Sequence, residues 1–177
     1  MLLDDVNAAL AATTDPQRDR FTLFVEERGE AALWREGGPE HLTASCFVFS
    51  PDLASVLLCL HRKGRFWVQL GGHLEPGDET LADAARREAR EESGIAELDL
   101  LDAAAADLDR HELNGGFSCA AHWDVGFVAL VDPTATTAAS DESDDVRWFT
   151  LDALPEGLAP GLPARLTAVG AAVARRD

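Results

Sequence analysis

The sequence predicts an α/β protein, an α+β or α/β sandwich with strands and helices in mixed order. Three observations predict it. Runs of apolar and β-prone residues at 43–50, 55–61, 66–70, 120–131 and 146–149 read as strands. Helical patterns stand before, among and after them, at 3–12, 15–28, 81–93 and 162–176. The 177 residues, 46% apolar and 27% charged, suit one soluble domain large enough for a real core.

The elements follow in order. Residues 3–12 place Leu3, Val6, Ala9 and Leu10 on one helical face. Asp15-Pro16 opens a second helix that runs to about Arg28. A short turn is expected near Glu30–Glu36, before Gly37-Gly38-Pro39 breaks the chain. Residues 1–40 thus read as a helical extension on a domain at 41–177. The extension can cover the sheet or make a homodimer contact, and the sequence leaves both open.

Thr43–Ser50 and Ser55–His61 are strands separated by a Pro51-Asp52 turn, and Lys63-Gly64 leads into a third strand, Phe66–Leu70. Arg62, Lys63 and Arg65 form a basic cluster, read either as a phosphate contact or as a solvated hairpin tip. The strand pattern stops at Gly71-Gly72. Pro76-Gly77 then turns the chain into a helix that ends at Gly94, a good left-handed C-terminal cap. His73 stands at the mouth of this turn and is a candidate contact to phosphate or base. Glu97–Ala106 reads as a strand with an irregular edge, Asp109–Glu112 as a polar stretch, and Asn114-Gly115-Gly116 as a turn. Ala120–Val131 is a strong strand. Its His122 and Asp124 share a face, lining a pocket or facing water. Residues 132–145 read as a long mobile loop, with Glu142 and its acidic neighbours either a mobile base near the metal or simply solvated. Val146–Phe149 is a short strand whose Trp148 suits core packing better than base stacking. Leu151–Pro155 begins a turn of helix, and Leu162–Arg176 closes the chain as an amphipathic helix.

Charge limits the partners. A formal net charge of −17 argues against nucleic acid or an anionic membrane as a bulk electrostatic partner. It would also repel a polyphosphate, which makes bridging divalent ions more necessary. No stretch is long and apolar enough to cross a bilayer. The start, Met1-Leu2-Leu3-Asp4-Asp5, lacks the basic region of a signal peptide. Cys46, Cys59 and Cys119 are odd in number, widely spaced and without a C-x-x-C, which predicts buried reduced thiols and a cytoplasmic protein.

The helix at 81–93 carries the chemistry. Glu88, Glu91 and Glu92 fall at i, i+3 and i+4, on one face. Three carboxylates so close repel one another unless water or a hard cation relieves them, and Mg²⁺ and Mn²⁺ prefer oxygen ligands of this kind. The opposite face, Leu81, Ala84, Ala85 and Ala89, is small enough to pack closely on a sheet.

The string Leu70-Gly71-Gly72-His73-Leu74-Glu75-Pro76-Gly77-Asp78-Glu79 and the helix after it resemble the signature of the Nudix family, G-x5-E-x7-R-E-U-x-E-E-x-G-U, where U is aliphatic. Gly72 begins the match. Arg87-Glu88-Ala89-Arg90-Glu91-Glu92-Ser93-Gly94-Ile95 reproduces its second half, with Ala89 in the aliphatic position. Counting forward from Gly72 reaches Asp78, and counting back from Arg87 reaches Glu79. The loop holds one extra residue, and either acid fills the first acidic position.

The resemblance covers roughly residues 41–155 and implies the Nudix fold, a mixed sheet between helices with a loop–helix–loop motif. It implies that Glu88, Glu91, Glu92 and the Gly71 carbonyl bind Mg²⁺, with Mn²⁺ an alternative. Glu88 or Glu91 would orient or deprotonate water, and Arg87 would pair with Glu79 or Asp78. His73, Arg62, His122 and Asp124 are the candidate substrate contacts. The expected function is hydrolysis of a nucleoside diphosphate linked to another group, most simply a nucleoside triphosphate or other small nucleotide. ADP-ribose or nucleotide-sugar hydrolysis is the alternative, and a non-catalytic nucleotide-binding module of the same fold is a third reading. The related isomerase of isopentenyl diphosphate would need a cysteine in the loop before the helix, and 70–78 has none.

Overall fold

The computed structural model describes residues 1–113, 118–141 and 143–176. Helices α1 (Leu2–Ala12) and α2 (Arg18–Arg28) come first, then two 3-10 turns at Gly29–Ala32 and Arg35–Gly37. Strands β1 (Glu40–Phe49), β2 (Ser55–His61), β3 (Phe66–Val68) and β4 (Leu70–His73) precede α3 (Leu81–Ser93). The chain then forms β5 (Asp107–Glu112), β6 (Ala121–Leu130), β7 (Ser143–Thr150) and α4 (Leu162–Val173).

All seven strands join one mixed sheet of order β3-β2-β1-β6-β5, with β4 also on β1 and β7 on β2. The spine is a parallel pairing of β1 with β6, from Glu40 opposite Ala121 to Phe49 opposite Leu130. The other edge of β1 is shared. β4 takes Thr43 to Cys46, and β2 takes Val48 and Phe49. A strand paired on both edges and covered on both faces reads as a nearly continuous buried run, and β1 is buried from His41 onward.

Alternation along β1 sorts the two faces. Leu42 and Ala44 meet Leu81, Ala84 and Ala85 of α3 together with α1 and α2. Cys46 and Val48 meet Ala89 of the same helix. Phe47 and Phe49 pack under Leu162, Leu166 and Val169 of α4. The remaining residues of that second face are polar: His41, Thr43 and Ser45.

The N-terminal helices cover the sheet. Phe21 and Phe24 lie against Trp123 at centroid distances of 5.0 and 4.3 Å, and both are buried. Burial of each phenyl ring contributes about 1.5–3 kcal/mol. Asp5 of α1 accepts the Leu81 N–H at 2.8 Å, so this segment also caps α3.

Several expectations need correction. Glu97–Ala106 forms no strand; Leu100 makes only an isolated bridge to Ala129. The strand is the polar stretch that follows, β5, and it lies at a sheet edge where charged side chains reach partners and solvent. The expected strand at 66–70 is divided, because β3 pairs with β2 and β4 changes partner to β1. β4 runs on through Gly71-Gly72 to His73, so the glycines do not end it. β7 begins at Ser143, inside the expected loop, and that loop is tied down by the Ala138 N–H on the Ser93 carbonyl at 2.8 Å. Leu151 and Asp152 form a single turn, closed by the Ala153 N–H on the Thr150 carbonyl at 3.0 Å, which does not continue into a helix. The expected turn at Asn114-Gly115-Gly116 and the candidate base Glu142 lie outside the described residues.

Candidate active site on the glutamate helix

Local chemistry sets α3 in place. Thr80 caps its start, accepting the Asp83 N–H at 3.0 Å. Gly94 ends it at φ 71°, a left-handed conformation that glycine adopts without a Cβ penalty. The alanine face sits on the sheet, and the three glutamates rise from the opposite edge at different depths. Glu92 is buried and its carboxylate accepts the Gly71 N–H at 2.8 Å, with the Cys59 thiol 3.8 Å from both oxygens. The Glu88 side chain is 14% exposed and that of Glu91 59%. Glu88 lies against Gly72 so closely that a Cβ there would stand 2.6 Å from its carboxyl carbon, so a larger residue would displace the carboxylate from this position.

Arg87 binds the preceding loop to this helix. Its Nε and Nη2 each donate at 3.0 Å to one carboxylate oxygen of Asp78, a bidentate pair. Nη2 also reaches the His73 carbonyl at 3.0 Å, and Nη1 reaches Glu88 at 2.9 Å and Glu91 at 3.3 Å. Hydrogen bonding to Asp78 and the charge of Glu88 push the guanidinium pKa up, against the cost of burial. Of the two acids in the loop, the structure pairs Asp78 with Arg87 and leaves Glu79 exposed. The extra residue accounts for this. Asp78 closes the turn by also accepting the Glu75 N–H at 2.8 Å, which carries Glu79 past Arg87 to a separate surface cleft beside Met1 and Leu2.

A cavity of about 890 Å³ lies over this face, lined by Glu88, Glu91, Glu92, Arg87, Gly72 and His73 among others. Gly72, not Gly71, lines it. Two further walls complete it, the first not legible in the sequence and the second expected from the acidic run beside residue 142. Trp34, Arg35 and Glu36 reach it from the N-terminal segment, and Ser140 and Asp141 from the loop before β7. Trp34 stands in a stretch with no motif, and nothing local ties it to residues fifty positions away. The carboxylates offer oxygen donors that converge on one cleft, with Glu88 packed on Gly72, and these residues fit a hard divalent cation such as Mg²⁺.

The four candidate substrate residues have different fates. His73 lines this cavity and also an adjoining one of about 320 Å³, where His122, Arg62, Lys63, Cys119 and Arg35 join it. His73 and His122 pack with His41. Burial, then mutual repulsion and Arg35, push the His122 ring down to about 2 and the His73 ring to about 4; burial also lowers His41. These rings are neutral at neutral pH. Arg62 sits away from the glutamates and donates to Asp144 at 2.9 Å.

Asp124 is a correction. It is buried and accepts from Thr43 at 3.0 Å, Ser45 at 2.7 Å, Gln69 at 3.1 Å and Arg165 at 2.8 Å. Its carboxylate is saturated inside the protein. Alternation put it on the face of His122, but Arg165 arrives from α4 and could not be foreseen. Arg165 also binds Asp107, whose carboxyl is raised by burial. A third cavity of about 540 Å³, lined by Phe66, His111 and Arg165, shares Lys63 and Leu113 with the second.

An arginine-clamped glutamate helix facing a polar cleft, on a mixed sheet between helices, is the arrangement of a pyrophosphohydrolase. The family model described as NUDIX domain matches residues 39–169, well over half of the chain, and the chain belongs to the Nudix family. A search of curated protein sequences gives no match. Among solved structures, a Caenorhabditis elegans Ap4A hydrolase binary complex aligns with TM-score 0.62 at 18% identity, covering 76% of this chain and 98% of that one. A NUDIX-family hydrolase from Clostridium perfringens aligns at 0.62 and 21% identity, covering 75% and 97%. The Escherichia coli dihydroneopterin triphosphate pyrophosphohydrolase aligns at 0.59 and 19%, covering 78% and 97%. These similarities are of fold.

Proposed function

We propose that this protein is a Mg²⁺-dependent hydrolase of a nucleoside diphosphate linked to another group, with a nucleoside triphosphate or other small nucleotide as substrate. The observation that carries the reading is the packing of Glu88 on Gly72 beside the Arg87–Asp78 pair, which sets three glutamates on one cavity. Glu88, Glu91 and Glu92 would hold the ion, and Mn²⁺ would fit the same oxygens. When bound, such an ion neutralises phosphoryl oxygens and provides a nucleophilic water.

The protein's own residues supply the rest. Arg87 holds the loop against the helix and partly neutralises Glu88 and Glu91. Glu91, the most exposed of the three, would take a proton from water, with Glu88 the alternative. Trp34 offers a flat apolar wall for a base, and Arg35 adds positive charge beside His73. The fold relatives act on a dinucleoside polyphosphate and a pterin triphosphate, as their names state, which supports the substrate class.

A second reading has its own support. The first and second cavities share His73 and Arg35 as lining, and the second and third share Lys63 and Leu113, so a substrate longer than a triphosphate would find further surface beside the glutamate cleft. This favours ADP-ribose or a nucleotide sugar as the alternative substrate. A phosphate-release screen over nucleoside triphosphates, ADP-ribose, nucleotide sugars and dinucleoside polyphosphates, with Mg²⁺ or with EDTA, separates the two. The proposal expects metal-dependent turnover of one class. Silence from folded protein over the whole panel would favour a binding module.

A further inference from the structure

We infer that His41, His73, His122 and Cys119 form a second metal site, for a borderline transition-metal ion of the zinc type, distinct from the glutamate cleft. Each residue offers one ligand atom, and the four atoms lie within 4.8 Å of one another. Zinc bonds of about 2.0–2.1 Å to nitrogen and about 2.3 Å to sulfur give tetrahedral edges of about 3.3–3.6 Å for three nitrogens and one sulfur. The quartet need draw in by only about 1 Å at its widest to close on an ion.

The sheet assembles the quartet. His41 stands opposite His122 in the parallel β1–β6 register, and His73 stands opposite Thr43, two residues along the same face of β1. Cys119 lies two residues before the start of β6. The ring centroids are 5.0 Å apart for His41 and His73, and 5.1 Å for each of the other two pairs.

An independent observation points to a ligand. His41 is 0% exposed, yet neither of its ring nitrogens makes a hydrogen bond of normal geometry. The buried Nε2 atoms of His73 and His122 are in the same condition. Buried polar atoms ordinarily find partners, and three neighbouring rings that each carry an unpartnered buried nitrogen point to a shared cation. The Gly38 backbone beside His41 is the kind of outer partner that orients a metal-bound imidazole. Three nitrogens and a thiolate suit zinc, whereas Mg²⁺ prefers oxygen. Four protein ligands would leave no open position, so the ion would be a staple joining β1, β4 and the approach to β6. The staple would also brace the His73 carbonyl on which Arg87 leans.

The test uses untagged full-length protein from zinc-supplemented medium, dialysed against metal-free buffer. Elemental analysis should find one zinc per chain. Replacement by Co²⁺ should give the thiolate-to-cobalt charge-transfer band and ligand-field bands of a tetrahedral site. Cys59 is the other thiol near possible ligands, 3.8 Å from Glu92. The cobalt spectrum should therefore survive Cys59→Ala and Glu91→Gln and be lost in Cys119→Ser, whose circular dichroism should match wild type. Wild-type protein with neither zinc nor the cobalt–thiolate band overturns the site. So does a band that persists in Cys119→Ser or disappears in Cys59→Ala.

Discussion

Arg87 donates to Asp78, the His73 carbonyl, Glu88 and Glu91 together, so single substitutions around it should have unequal effects. Glu91→Gln removes a charge from an exposed position and should lower turnover by roughly two orders of magnitude or more, with the thermal midpoint unchanged. Asp78→Asn and Glu79→Gln form a matched pair. The first breaks a charge-assisted bidentate pair and should reduce both stability and activity. The second alters an exposed side chain and should do neither; kinetics beside thermal melts on the two variants would decide. This contrast was not legible in the sequence, where counting from either end of the motif gives a different acid and only the turn geometry separates them. The glutamates were legible, because helical spacing alone puts 88, 91 and 92 on one face. Their different depths were not, since depth depends on what β4 and Arg87 place against each.

The elements tell a similar story. α3 was readable from its alanine face, its glutamate spacing and Gly94, all local signals. β5 was not, because its residues, Asp-Leu-Asp-Arg-His-Glu, have no apolar alternation. They form a strand because Arg165 and Glu40 reach them from other elements, with Arg110 held by Glu40 at 3.0 Å. Asp5→Ala tests a contact between elements. It removes the acceptor for the Leu81 N–H and should cost about 1 kcal/mol, seen in denaturant unfolding with an unchanged slope. Arg165→Ala should cost more, since it leaves Asp107 and Asp124 buried without their cation.

Over the whole molecule, pH should act through the buried histidines. In the folded, metal-stripped protein the His73 and His122 rings are held down to about 4 and about 2, while in the unfolded chain they titrate near 6.5. The unfolded state therefore binds more protons below about 6.5, and the stability present above that value is lost as pH falls toward the folded values. Thermal midpoints of EDTA-treated protein should drop between about pH 7 and about pH 5, before most carboxylates titrate. The N-terminal segment belongs to this scale too. Its helices were legible from periodicity, but nothing in them announced that Trp34 and Arg35 would wall the cleft. Such contacts between distant segments exist only once the chain has closed on itself.

The parallel pairing of β1 with β6 also bears on how the protein comes to be active. Its partners are roughly eighty residues apart in the chain, and α3 lies between them. Until that loop closes, the alanine face of α3 lacks much of the sheet on which to bury. Closing so large a loop early is entropically slow. In refolding from denaturant, helical signal should return first, and hydrolytic activity only with the slowest phase, when both ends of the loop have met.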